Sequence, residues 1–269
     1  MNPTPLTLDQ FNQRVAQADR VWLFLDYDGT LAELAPTPDH IEPNAEVVVV
    51  VSALADHPRI RVSVISGRRL EHVEKLVPVE GILLAGTYGV EMRMPEGERK
   101  ERIPFDAVRP ALERIKPHWA ELIAGHEGFF LEDKGWALAI HARFADPGPA
   151  NQVLSAARQI AQRTAASGPF RVLGGHRFLE IGPKLAHKGK TVAHLIDRWP
   201  EADALPLYLG DDDKDEEAFD VIHAHGGYAV VVASEPRETE ADFRFPTPQT
   251  TRQWLSRLPK LIEAPSTLS

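Results

Sequence analysis

The stretch LFLDYDGTLAEL, residues 23–34, runs from an uninterrupted apolar segment straight into two carboxylates one residue apart, Asp26 and Asp28. A carboxylate leaving a buried strand is costly unless something pairs with it, hydrogen-bonds it or coordinates it. The stretch therefore predicts a strand whose end carries ligand chemistry. The rest of the chain has to supply the partners.

Working outward, further apolar runs occur at VWLFL (21–25), RVSVI (61–65), ILLA (82–85), PLYLG (206–210) and YAVVV (228–232). Unbroken apolarity is expected of strands covered on both faces, as in parallel sheets. Between them lie helical patterns, so the chain reads as βα units of an α/β fold. NAEVVVVVSALADHP (44–58) is rich in β-formers, but its length, the cap residue Asn44 and its place between two strands predict a helix.

Residues 107–182 read differently. AVRPALERIKPHWAELIAG is helical, FFLED and WALAIHAR are strand-like, NQVLSAARQIAQRTAA is a second helix, and FRVL and RFLEI close the segment around a GGH turn. This αββαββ pattern, with polar–apolar alternation in WALAIHAR expected of a one-sided sheet, predicts a small α+β domain. It would be inserted between 1–106 and 183–269, the two pieces of the α/β core. The tail EAPSTLS is expected to fray.

Composition narrows the function classes. With 43% apolar residues in 269, the chain can bury a sizeable core. A net charge of −9 argues against a nucleic-acid scaffold, and the absence of cysteine leaves His, Asp and Glu as ionisable metal ligands. No signal peptide and no membrane-spanning run is apparent, so a cytoplasmic protein is expected.

Four polar groups follow strands or open a helix. They are Asp26 and Asp28; Ser66 in ISGRR; Lys188, opening KGKTVAHLIDRW; and Asp211, Asp212, Asp213 and Asp215 after PLYLG. In open parallel sheets, ligands bind beyond the carboxyl ends of the strands, so these groups should converge. Carboxylates make a hard site suited to Mg²⁺ beside a phosphate. One Asp can attack phosphorus, and a second can shuttle a proton. Gly29 permits a tight turn, Thr30 can bond phosphate or cap the next segment, and Ser66 and Lys188 can hold phosphoryl oxygens. Singly, each has a bland reading as turn, helix start or surface lysine. HKGKT is no P-loop, because the preceding Gly182 is too far from Gly189. DYDGT is no calcium loop, because its glycine comes too early and its twelfth position is Thr37.

These blocks, in this order, resemble the haloacid dehalogenase (HAD) superfamily of aspartate-dependent phosphatases, and within it the trehalose-6-phosphate phosphatase family. DYDGTLAEL, VISGR, LLAGTYGVEMR, LEDKGWALAIHAR, FLEIGPKLAHKGKTVAHLI and YLGDDDKDEEAF carry the resemblance from about Leu23 to about Ala233. It implies a Rossmann-like core with a C2B-type αββαββ cap that closes over a sugar phosphate. It also implies Mg²⁺-dependent hydrolysis of trehalose 6-phosphate through an aspartyl-phosphate. Asp26 would be the nucleophile and Asp28 the acid/base, with Ser66 and Lys188 on the phosphoryl oxygens. Thr30, Gly67 and Arg68 would be among the substrate-binding residues. Asp26, the Asp28 carbonyl and Asp211 would hold Mg²⁺, with Asp212 or Asp215 in support. Glu132, Lys134 and Glu180 would contact the sugar; their bland reading is exposed strand charge.

Three positions depart from the family pattern: Tyr88 where histidine is usual, Gly182 where a basic residue is common, and Lys214 where threonine is usual. They leave open another glycosyl phosphate, such as glucosyl- or mannosyl-3-phosphoglycerate or glucosylglycerol phosphate. A silent sugar-phosphate sensor on the same fold is the third reading; it needs a lost nucleophile, acid or metal ligand, and Asp26, Asp28, Lys188 and Asp211 are all present. No nucleic acid or membrane partner is expected, and the chain is expected to be a monomer or weak dimer.

Overall fold

A computed structural model of the chain describes residues 5–34, 41–166, 168–175, 177–199 and 203–263. Thr37, His176 of the GGH turn and the tail beyond Glu263 lie outside the described residues. In chain order the strands are β1 (Arg20–Leu25), β2 (Ile60–Ile65), β3 (Leu83–Gly86), β4 (Glu91–Arg93), β5 (Arg99–Glu101), β6 (Phe130–Asp133), β7 (Leu138–His141), β8 (Phe170–Gly175), β9 (Phe178–Pro183), β10 (Ala204–Gly210), β11 (Tyr228–Val232) and β12 (Phe243–Phe245). The helices are α1 (Leu8–Ala16), α2 (Ala45–Ala55), α3 (Leu70–Leu76), α4 (Phe105–Ile123), α5 (Pro147–Ala166), α6 (Lys188–Arg198), α7 (Asp213–Ala224) and α8 (Pro248–Glu263).

Two compact units result: Met1–Lys100 with His187–Ser269, and Glu101–Ala186. The second is a few residues wider at each end than the sequence pattern indicated, for a local reason. Trp136 Nε1 donates to the Ile103 carbonyl, and Lys184 N to the Pro169 carbonyl, so both flanks are tied to the second unit.

The first unit is built on an eight-stranded sheet in the order β12-β11-β10-β1-β2-β3-β4-β5. Pairings from β12 through β3 are parallel, and β4 runs antiparallel to β3. From β1 the chain steps outward through β2 and β3, then returns at β10 and steps outward on the other side. The strand order therefore reverses between β1 and β10, and there a crevice opens at the carboxyl ends. Each face of the sheet is covered. One core joins Leu23 and Leu25 to residues of α1, α2, α3 and α8, and the other joins Trp22, Phe24 and Tyr208 to α6 and α7. Burial on both faces is why these strands lack alternation. The valine-rich segment is α2, capped by Asn44, whose Oδ1 accepts from Glu46 N and Val47 N. Length and capping overrode the β preference of the valines.

The second unit carries the sheet β6-β7-β9-β8, all antiparallel, with α4 and α5 supplying residues to its core. The alternation expected in WALAIHAR does not appear as a wet face: Ala137, Leu138, Ala139 and Ile140 are all fully buried. Leu138 and Ile140 join the core, whereas Ala139 is flanked in register by Glu132 and Glu180. Those charges pair within the protein rather than facing water. Among the described residues, no helix is long and apolar enough to cross a membrane.

Candidate active site

Asp26 leaves β1, and its N–H still pairs with the Leu209 carbonyl of β10, so the two central strands hold it at the crevice. The side chain is nearly buried, and Lys188 Nζ lies 3.0 Å from its Oδ1. Lys188 opens α6 behind the cap residue His187 and is itself buried. Asp26, Asp211 and Asp215 bring one carboxylate oxygen each to within 4.8 Å of one another.

Asp215 is the hub. Its Oδ1 accepts from Lys188 Nζ at 2.5 Å and from the Tyr208 hydroxyl at 2.7 Å; its Oδ2 accepts from the N–H groups of Asp211 and Asp212 at 3.0 and 3.1 Å. Four donors fill the acceptor capacity of one carboxylate. Asp212 is occupied otherwise: it caps α7, and its two oxygens take the Lys214 N–H and Nζ, each at 2.7 Å. It stands outside the three-carboxylate group. Asp213 is exposed at the helix start.

The electrostatics follow from three acids around one cation. Burial, reinforced by Asp215, Asp211 and Asp212 and opposed by Lys188, pushes the Asp26 carboxyl well above the usual range. Burial and then Asp215 push Asp211 up to about 7. Burial likewise raises Asp215 against the pull of Lys188. Burial works against the charge on Lys188, but Asp215 and Asp26 outweigh it and hold the ammonium firmly protonated. Asp212 is held low because Lys188 and Lys214 overcome its burial.

This donor set fits a divalent cation. Asp26 and Asp211 offer hard carboxylate oxygens beside Asp215, whose own acceptor sites are filled, and their raised carboxyls mark a place where added positive charge would be welcome. Room is also reserved: Gly29 has φ +77°, and a Cβ there would fall 2.0 Å from Asp211 Oδ2. Thr30 Oγ1, fully buried, has no hydrogen-bond partner among the described residues, so its donor is left for a ligand. It does not cap a following segment.

Asp28 points to a different partner. Arg68 Nε and Nη2 grip its two oxygens at 2.6 and 2.8 Å. Ser66 is buried after β2 and accepts from Arg68 N at 3.2 Å, which leaves its hydroxyl proton free to donate. Gly67 lies under the Tyr88 ring, where a Cβ would meet Cε1 at 2.7 Å. Tyr88 is buried with φ +56°, donates its N–H to the Ser66 carbonyl, and has Lys214 Nζ 6.0 Å from its ring centroid. Two departures from the family pattern thus face each other. Tyr27 packs into the core, as its place between two outward acids requires.

In the second unit, Glu132, Lys134 and Glu180 are buried, at 6%, 5% and 0% exposure, which overturns the reading of exposed strand charge. Lys134 Nζ lies 2.6 Å from Glu180 and 3.7 Å from Glu132, and His141 Nε2 lies 2.8 Å from Glu132. Gly182 lies on β9 against Ala137, where a Cβ would meet the Ala137 methyl at 3.1 Å.

The profile of the trehalose-phosphatase family matches residues 24–249, a span that contains all of these positions. The chain belongs to that family. Among its relatives, the trehalose-phosphate phosphatases of Mycobacterium tuberculosis and Mycobacterium ulcerans are each 32% identical to it, over 90% and 88% of this chain. The chain spans only 62% and 60% of their lengths. Among solved structures, the C-terminal domain of trehalose-6-phosphate phosphatase from C. albicans superposes with a TM-score of 0.84 at 22% identity, covering 96% of this chain and 99% of that one. Trehalose-6-phosphate phosphatase from Aspergillus fumigatus gives 0.67 at 25%, with 96% and 99% covered. The fold is accordingly that of the HAD phosphatases.

Sequence reasoning passed over three family-site neighbours. Tyr208 lies within an apolar strand and shows its role only through Asp215. Arg237 donates to the Asp211 carbonyl at 2.8 Å from far along the chain, and Arg252 to that of Leu31 at 2.8 Å. Only the D-x-x-D spacing of Asp212 and Asp215, a capping-box signal, hinted at the hub.

Proposed function

We propose that this protein is a Mg²⁺-dependent phosphatase that hydrolyses trehalose 6-phosphate to trehalose and phosphate. The single observation that carries the reading is Asp26 at the β1/β10 crevice, paired with Lys188 and clustered with Asp211 and Asp215, on a chain of this family.

Asp26 attacks phosphorus, and the bond from phosphorus to the sugar oxygen breaks. Asp28, once it has left Arg68 and taken a proton from solvent, gives that proton to the sugar oxygen. Asp28 then takes a proton from water, whose oxygen attacks phosphorus and displaces Asp26, so both residues return to their starting forms once that proton goes back to solvent. Lys188, Ser66 and Thr30 donate to the phosphoryl oxygens, where charge must be held in the transition state. Gly67 lets the loop approach, and Arg68 orients Asp28. Asp26, Asp211 and the Asp28 carbonyl would hold Mg²⁺, which supplies positive charge against the phosphate. Asp215, with every acceptor site filled, supports the reading of an orienting group behind Lys188 and Asp211. Glu132, Lys134 and Glu180 are assigned to the sugar.

Phosphate release tests the proposal. Trehalose 6-phosphate should be hydrolysed, EDTA should stop the reaction, and Asp26→Asn should abolish it; undiminished turnover by Asp26→Asn rejects the chemistry. A panel with glucosyl- and mannosyl-3-phosphoglycerate and glucosylglycerol phosphate tests the sugar. A higher kcat/KM on any of them rejects trehalose 6-phosphate and leaves the chemistry standing.

A further inference from the structure

A second concave site lies on the first unit, built from α1, β12 and α8, none of which carries a member of the carboxylate cluster. It encloses about 640 Å³, inside the roughly 300–1,000 Å³ span of small-molecule sites. Its floor is aromatic. Phe243 stacks on Phe11 with ring centroids 5.2 Å apart, and Phe245 packs on Trp254 at 5.6 Å. The Trp254 Nε1–H is satisfied by Asn12 Oδ1 at 2.8 Å, so the indole presents no unmet donor. Leu8, 46% exposed, sits on the rim.

The charge around the groove is one-sided. The lining includes Arg244, Arg257 and Lys260 and no carboxylate, on a chain whose net charge is −9. Arg244 is engaged by the carbonyls of Ala233 and Ser234. Arg257 and Lys260 are exposed and have no ion-pair partner among the described residues. They stand three apart on α8, where side chains are neighbours on one face and can bracket a single anionic group.

We propose that this groove binds a soluble amphipathic anion. Its flat or branched apolar body would lie on Phe243, Phe245 and Trp254, with one carboxylate, phosphate or sulfonate head between Arg257 and Lys260. Complementary charge selects an anion, and a volume of about 640 Å³ suits a small molecule. The occupant would also be felt at the site. Arg252, on the same helix, is buried and donates to the Leu31 carbonyl at 2.8 Å while reaching Glu33 at 3.2 Å. Leu31 belongs to the turn that follows Asp28, so a ligand that steadies α8 steadies that turn.

The full chain is titrated with 1-anilinonaphthalene-8-sulfonate, an aromatic sulfonate of the right class. One dye per chain should bind with blue-shifted emission, excess inorganic phosphate should leave it in place, and Arg257→Glu with Lys260→Glu should weaken binding at least tenfold. Both side chains are exposed, so an unchanged Tm is expected; Gln253→Glu, on the same wall, gives a second test with a smaller loss in the same direction. Hydrogen exchange of the peptide spanning 27–33 should slow when dye saturates the native chain and not the charge-reversed one. Absent binding, several dyes per chain, displacement by phosphate, or affinity indifferent to the substitutions overturns the site. Unchanged exchange in 27–33 overturns the link to Asp28. None of these readouts depends on phosphatase activity, so failure here is distinguishable from failure of the proposed reaction.

Discussion

Arg68 holds Asp28 by two N–H donors at once, Nε to Oδ2 and Nη2 to Oδ1, at 2.6 and 2.8 Å. A forked guanidinium fixes the carboxylate's direction as well as its place, which a lysine cannot do. In the proposed reaction Asp28 must turn from this pair to the leaving oxygen. Arg68→Lys should therefore lower kcat by about 10- to 100-fold, a fraction of what general acid–base catalysis is worth. KM should change less. Steady-state kinetics alongside a circular dichroism melt check it, since a merely structural loss would lower Tm and spare the kcat of the folded fraction.

Tyr208→Phe removes a hydroxyl and keeps the ring against Phe219. Asp215 Oδ1 then retains Lys188 alone, so Lys188 is drawn toward Asp215 and away from the phosphoryl position. A lost hydrogen bond to a charged group is worth about 1.5–3 kcal/mol, so kcat/KM should fall by roughly 10- to 150-fold. Rates near those of the native protein would show that Tyr208 only packs.

Gly29 tolerates no side chain, on two grounds. Its φ of +77° is left-handed, and a Cβ would collide with the Asp211 carboxylate. Gly29→Ala should displace Asp211, weaken Mg²⁺ binding by more than tenfold in isothermal titration calorimetry, and cut turnover at least as much.

The raised carboxyls predict an inverted pH response. Asp211, ordinarily near 3.8, is moved to about 7 in the folded protein by burial first and Asp215 second. Between about 4 and about 7 the native state therefore keeps a proton that the unfolded chain has lost, so its contribution falls as pH rises through that window. Asp26 and Asp215 act in the same sense. Asp212, held low, is ionised throughout the window and opposes nothing there. With EDTA present, the Tm contribution of the cluster should decline from about pH 5 to about pH 7.5. Mg²⁺ needs the ionised form, so its stabilising effect should be larger at the higher pH. Differential scanning fluorimetry across pH, with and without the ion, measures both trends.

Lys134 and Glu180 form a buried pair at 2.6 Å. Lys134→Met takes away the ammonium 2.6 Å from Glu180 and breaks this buried pair, which costs about 3–5 kcal/mol. Denaturant unfolding should show that loss, whereas Glu180→Gln, which keeps an acceptor for Lys134, should cost clearly less.

Much of this molecule is legible in its residues. The placement of Asp26, Asp28, Ser66 and Asp211 could be read because an unbroken apolar strand leaves polar side chains little room except beyond its end. Lys188 could be read because a helix start must face that same edge. The αββαββ order of the second unit was equally plain from length and periodicity. Less legible was the burial of Glu132, Lys134 and Glu180, since alternation along a strand marks two faces without saying what covers each.

The residues in order determine an α/β chain with oxygen-rich chemistry at the strand ends. They leave Asp212 and Asp215 equivalent, two aspartates in one acidic run. Only the tertiary structure separates them. Asp212 becomes the cap of α7, while Asp215, three residues on, folds back over the helix start to meet Lys188 and Tyr208, residues that come near it only when α6 and β10 pack together. Hydrogen bonds between distant segments depend on where the backbone carries each donor, and a linear pattern holds no record of that.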